Sequence, residues 1–298
     1  MLHKISSDWH ARIWIEGVGD AERRLEITPA IAGWQSLSFR TYTFRAGQVI
    51  DGESATDEMC MVLLAGSITM EAAGQTWVCD GRASVFEGRP HVIYLPPGHT
   101  YRMTVHRDAD CAYGRAPANG TLPARLITPE DVTIETRGEQ NLTHQVTRIL
   151  GPGDAENLLC TEIIIPPRNW STFPPDRPDP DRLADDVSSE AVAYYRMNPA
   201  DGWALQRLSI PDQGPDVVII AEHGDAMLIR RGSPPVVASP GSEVYALDFR
   251  VGYPPSVKDH SVVAQPHNDC PPGTGAKTVA PRKPATVDSL HSINHLVV

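Results

Sequence analysis

The sequence predicts an all-β protein made of two small jelly-roll barrels in tandem, followed by a tail rich in Pro and Gly. Three observations predict it. Pro (27) and Gly (23) are so frequent among the 298 residues that few windows stay unbroken long enough for a helix. Between residues 34 and 250 the chain reads as short apolar or alternating runs separated by Gly, Pro, Asp and Asn, the pattern of a sandwich or barrel. A weak internal repeat divides these runs into two similar halves.

Taken in order, the expected strands of the first half are 37–44, 61–70, 91–95, 101–106 and 124–127, then 132–136 and 145–150 ahead of a join at 150–157. The second half continues with 158–165, 192–197, 204–210, 217–221, 227–229, 236–238 and 244–249. Each run is bounded by turn chemistry. Val92-Ile-Tyr-Leu-Pro-Pro-Gly98 leads into Tyr101-Arg-Met-Thr-Val105, and the second half repeats this strand, proline turn and strand through residues 228–232, 234–236 and 244–249. Ala65-Gly66 and Asp201-Gly202 read as turns ahead of a strand pair. These readings divide the chain into an N-terminal barrel at 1–152, a C-terminal barrel at 153–253 and a tail at 254–298.

Charge and composition exclude several functions. Lys and Arg number 26 against 37 Asp and Glu, a net charge of −11, which argues against nucleic acid as a partner. No apolar run approaches the ~20 residues that cross a bilayer, so a soluble, cytoplasmic chain without a membrane partner is expected. The cysteines (Cys60, Cys79, Cys111, Cys160, Cys270) are odd in number and form no C-x-x-C, which predicts reduced, buried thiols. The stretch with Asp176, Asp179, Asp181, Asp185, Asp186 and Glu190 reads as a solvated acidic loop without calcium-loop spacing. No phosphate loop, nucleophile elbow or H-E-x-x-H occurs. His91, His99 and His106 lie near one another in the strand order, as a site or, more simply, as rim histidines.

Several stretches carry a resemblance. Ala32-Gly33-Trp34 with Leu37-Ser-Phe-Arg40, Gly81-Arg82 with Ser84-Val-Phe-Glu87, and Tyr94-Leu-Pro-Pro-Gly98 are the first of them. Arg125-Leu-Ile-Thr-Pro-Glu-Asp131, Arg137-Gly138, Asn169-Trp-Ser171, Tyr195-Arg-Met-Asn-Pro199 and Gln206-Arg207 follow. In order along the chain, these resemble the 5-deoxyglucuronate isomerase family of bacterial inositol catabolism. The resemblance implies a tandem cupin fold, in agreement with the two barrels. It also implies an aldose–ketose isomerisation in which a divalent ion such as zinc or manganese, held in the second barrel, polarises the sugar carbonyl while a base shuttles a proton.

The family's ligand set is two histidines as H-x-H, a Glu on the next strand and a third His in a later turn. Carried onto this sequence, those positions fall on Asp176, Pro178, Ala191 and Pro234. All four are replaced, and one carboxylate does not make the three or four donors such a site needs. Glu190 does not rescue the Glu position, because adjacent residues of a strand face opposite ways. The expectation is therefore no bound metal and no assigned catalytic residue.

What remains is a polar pocket for a sugar acid. Tyr195, four residues after Ala191, shares its strand face. Of the neighbours Gln206 and Arg207 only one looks inward. Arg207 either binds a sugar carboxylate or pairs with a surface carboxylate. Asn169, Trp170 and Asp176 are expected at the mouth, and a homo-oligomer is expected. Two functional readings stay open. One is a working isomerase with other ligands or a metal-free mechanism, and the other is a relative that binds a sugar acid or a protein partner without catalysis.

Overall fold

A computed structural model describes residues 10–11, 22–171, 190–208, 217–229 and 235–251. All of them fall in one compact unit spanning Met1–Asp259. The expected tail and acidic loop lie outside the described residues, except for Glu190.

The described strands are β1 (His10–Ala11), β2 (Glu22–Ile27), β3 (Ser38–Phe44), β4 (Val49–Glu53), β5 (Asp57–Ala72) and β6 (Gln75–Cys79). They continue as β7 (Val92–Leu95), β8 (Thr100–Pro117), β9 (Arg125–Ile127), β10 (Thr133–Arg137), β11 (His144–Leu150) and β12 (Leu159–Ile165). The last are β13 (Glu190–Asn198), β14 (Trp203–Leu208), β15 (Val217–Glu222), β16 (Ala226–Ile229), β17 (Val236–Ala238) and β18 (Glu243–Val251). Helix is confined to α1 (Pro29–Ala32) and a 3-10 turn at Gln140–Leu142. Thr28 starts α1 by accepting the Ile31 N–H, Pro29 occupies its first turn, and Gly33 ends it at φ 67°. No helix among the described residues is long and apolar enough to cross a membrane.

Strand pairing gives two large antiparallel sheets and a small one. The N-terminal half forms the path β2-β3-β8-β5-β7-β9, with β4 added on β8 and β6 on β5. The C-terminal half forms β1-β16-β13-β18-β12-β11-β10, opposite a small sheet β15-β14-β17. Hydrogen bonding therefore passes to the second sheet between Ile127 and Thr133, before the 152/153 division read from sequence. The expected join at 150–157 falls at the connection between β11 and β12, which pair with each other.

One expected turn is corrected. Ala65-Gly66 lies within the 16-residue strand β5, where the register against β8 slips at Leu63, Ala65 and Ser67. Gly66 has φ 98°, and a Cβ there would lie 2.3 Å from the Asp108 carbonyl oxygen. A glycine that marks a turn in sequence is here the bulge that bends a long strand around its barrel.

Strands β13 and β18 are buried on both faces, and their alternation assigns each face. Val192, Tyr194, Tyr245, Leu247, Phe249 and Val251 join Phe39, Val62, Tyr94 and Ala112 of the first half in one shared core. Ala191, Ala193, Tyr195, Val244 and Ala246 turn the other way, into the second barrel. Buried polar groups tie the two halves along the shared core. Glu58 accepts from Tyr94 and from the backbone N–H groups of Glu156, Asn157 and Leu158. Arg82 pairs with Glu162, which also accepts from the Tyr245 hydroxyl at 2.7 Å. Arg196 donates to Asp110 at 2.9 Å. The four described cysteines are buried free thiols, and burial pushes Cys79 up to about 12, which keeps it protonated.

His144, at the start of β11, is 8% exposed and donates from Nδ1 to the Leu142 carbonyl at 2.8 Å. Burial lowers its pKa, against the opposing effect of that hydrogen bond. The unfolded chain therefore binds this proton more readily than the folded one. The His144 contribution is intact above the unfolded value of about 6.5 and is lost as pH falls below it. Between about pH 7 and about pH 5 the melting temperature of the wild type should fall more steeply than that of His144→Gln. Equal slopes in calorimetric scans would show that His144 does not contribute.

Candidate functional site in the second barrel

The two barrels are filled differently. The first is packed with bulky side chains, among them Phe44, Met59, Met61, Leu63, Met70 and Trp77. The second is lined by alanines at 191, 193, 204, 221, 238 and 246, with larger apolar groups such as Met197, Met227 and Ile229 between them. Facing strands of the second barrel thus present mainly small apolar side chains to its interior, among which a few polar groups are placed.

Four polar side chains belong to this interior. Tyr195 on β13 is 1% exposed and donates its hydroxyl proton to Gln206 Oε1 on β14 at 2.9 Å. Burial, and then the charge of Asp248, push the Tyr195 phenol up, so it remains a proton donor. Asp248 and Arg250 follow Val244 and Ala246 on the inward face of β18. Arg250 donates from Nε and Nη2 to Asp248 Oδ2 at 2.9 and 2.7 Å, with side chains 17% and 13% exposed. Asp248 Oδ1 is buried and has no hydrogen-bond partner. In register, Asp248 stands opposite Ala193 and Thr161, and Arg250 opposite Ala191 and Leu159.

Of the site residues expected from sequence, the structure brings Tyr195 and Gln206 together. It separates Arg207, which is exposed on the outer face of β14 because its neighbour Gln206, 1% exposed, takes the inward position. Asn169 spends its side-chain amide on the turn before β11, donating to the Thr143 carbonyl at 2.6 Å. Trp170 bridges to Val237 on β17. Asp176, Pro178 and Pro234 lie outside the described residues. Asp248 and Arg250 were not singled out from sequence. Their signal was two charged residues spaced by two that follow the apolar run Val244–Leu247 in the same strand.

The residues do not fit the family's metal. Ala191, fully buried, offers no donor, and proline at 178 and 234 offers none by its nature. Glu190 faces away, its carboxylate accepting the backbone N–H groups of Gln35, Ser36 and Leu37 at 2.5, 2.9 and 2.7 Å. Among the described residues no group of three or more His, Cys, Asp and Glu could hold a metal ion, and His91, His99 and His106 form no such group. His99 turns to the Pro97 carbonyl and His106 to the Thr69 hydroxyl.

Comparison with known proteins places this geometry. The KduI/IolB family model matches residues 16–267. The 5-deoxy-glucuronate isomerase of Geobacillus kaustophilus is 35% identical over 76% of this chain and 84% of its own length. That of Bacillus subtilis strain 168 is 29% identical over 76% of this chain and 85% of its own. Among solved structures, an IolB-like protein of Salmonella typhimurium superposes with a TM-score of 0.71 at 30% identity, covering 77% of this chain and 89% of that one. An oxalate decarboxylase of Lactobacillus farciminis, at 10% identity and a TM-score of 0.55 over 84% of this chain and 88% of its own, shares the fold. The fold is thus the tandem cupin expected from the resemblance. With a family match over most of its length and relatives above 30% identity, the chain belongs to the KduI/IolB family.

Proposed function

We propose that this chain keeps the sugar-acid-binding barrel of its family and has lost the family's metal-dependent isomerisation. One observation carries the proposal: the buried position where the family's ligand Glu is expected holds Ala191, and its register partner on β18 is Arg250, whose guanidinium is held by Asp248. Neither an alanine nor a carboxylate-paired guanidinium can donate an electron pair to a divalent cation. The sugar-acid ligand is inferred from the relatives, which are named as 5-deoxy-glucuronate isomerases. An alanine-lined interior with four polar groups suits such a ligand.

Turnover of 5-deoxy-glucuronate followed by NMR tests this reading. No isomerisation is expected, with or without added zinc or manganese, while D-glucuronate binds equally well in the presence of a chelator. Turnover that rises with added metal would overturn it.

A further inference from the structure

We propose that Asp248 and Arg250 form a hydroxyl-reading site for the ligand of the second barrel, built beside the position the family's metal-ligating Glu would occupy. The assignment rests on the sugar-acid reading above and names the residues that carry it.

The geometry points to Asp248 in three steps. Its strand face is settled by its neighbours, since Val244 and Ala246 on the same side of β18 belong to the second-barrel interior, while Tyr245, Leu247 and Phe249 belong to the shared core. Its surroundings are small, because Ala193 stands directly opposite on β13 and Thr161 on β12. Its two oxygens have different tasks. Oδ2 takes both hydrogen bonds from Arg250, whereas Oδ1 is buried and accepts from nothing. A buried carboxylate oxygen is an expensive group to leave unsatisfied, and a ligand hydroxyl donating to it removes that penalty.

The complementary donor lies on the facing sheet. Tyr195 donates to Gln206 Oε1, which orients the amide so that Nε2 is its donating end. An acceptor on β18 and a donor on β14, with a guanidinium beside them, match a polyhydroxylated carboxylate. Its hydroxyls donate to Asp248 Oδ1, and its oxygens accept from Gln206. A divalent ion is not needed to organise the ligand when an internal ion pair presents both signs of charge.

Calorimetric titration of the full chain with D-glucuronate tests the assignment, using Asp248→Asn and Ala193→Leu beside the wild type. In Asp248→Asn the Arg250 guanidinium holds the remaining oxygen, so the amide N–H2 points where Oδ1 accepted. Binding should weaken by about tenfold or more. Ala193→Leu leaves both charged residues in place and puts a bulky side chain beside Asp248, where a ligand hydroxyl would approach. It should give a similar loss, and it decides the matter if Asp248→Asn does not fold. Wild-type binding with unchanged affinity in the folded variants would overturn the role of Asp248 and leave the sugar-acid reading standing. No binding by the wild type would overturn the sugar-acid reading itself, and this assignment with it.

Discussion

Glu58→Ala should lower the melting temperature by roughly 10 °C or more, the largest effect expected of any single substitution in the seam between the halves. Glu58 is fully buried on β5. Its carboxylate accepts from the Tyr94 hydroxyl at 2.7 Å and from the backbone N–H groups of Glu156, Asn157 and Leu158 at 2.8, 2.7 and 2.7 Å. Alanine leaves these donors facing a cavity where no side chain answers them. Each buried unsatisfied group costs about 1–3 kcal/mol, so a loss of about 4–5 kcal/mol is expected even after partial relaxation. Glu58→Gln should also destabilise, because one acceptor oxygen becomes an N–H2 that opposes the donors. A calorimetric shift below about 3 °C for the alanine variant would show that the 156–158 backbone finds other partners.

Arg82→Met should come next, with a loss of about 3–5 kcal/mol, because it strands the Glu162 carboxylate in the shared core. The two side chains are only 3% and 4% exposed, and Glu162 keeps just the Tyr245 hydroxyl when the guanidinium is gone. The double variant Arg82→Met, Glu162→Met should recover much of that loss, since an apolar pair of similar volume requires no desolvation of charge. A chemical-denaturation series checks this. A double variant as unstable as the single one would show that the ion pair stabilises the seam beyond its own desolvation.

Much of the fold was legible from residues because its strands are short apolar runs with strong punctuation. Strand β7 is Val-Ile-Tyr-Leu, buried throughout and followed by Pro-Pro-Gly, β17 is Val-Val-Ala, and β18 carries the apolar run Val244-Tyr-Ala-Leu247. Strands β2, β4 and β6 escaped, because β2 reads Glu-Arg-Arg-Leu-Glu-Ile and β4 is exposed at Val49, Asp51 and Glu53. Polar, half-exposed strands give no apolar signal, and their pairing depends on partners distant in sequence. The lengths of β5 and β8 were hidden as well, since Gly66 and the charged stretch Arg107-Asp108 look like ends and are bends within continuous strands.

The candidate site was half legible. Period-two spacing put Tyr195 on the face of Ala191, but it could not decide between Gln206 and Arg207 at the end of a strand. Pairing with β15 and β17 settles that choice in favour of Gln206. Asp248 and Arg250 were masked by the strength of the apolar signal around them, because β18 is buried on both faces and hides its alternation. By contrast, the positions onto which the resemblance carries the family's ligands include Pro178, Ala191 and Pro234, residue types without a side-chain donor that are readable from sequence alone.

The most direct test of the proposal that the family's metal site is gone is the metal content of untagged protein purified without chelator, measured by elemental mass spectrometry. Less than about a tenth of an equivalent of zinc, manganese and iron together is expected, since metal affinity requires several converging donors and the described residues present no such group. A near-stoichiometric content of any one of them would contradict the account and show that the chain builds a metal site from other residues.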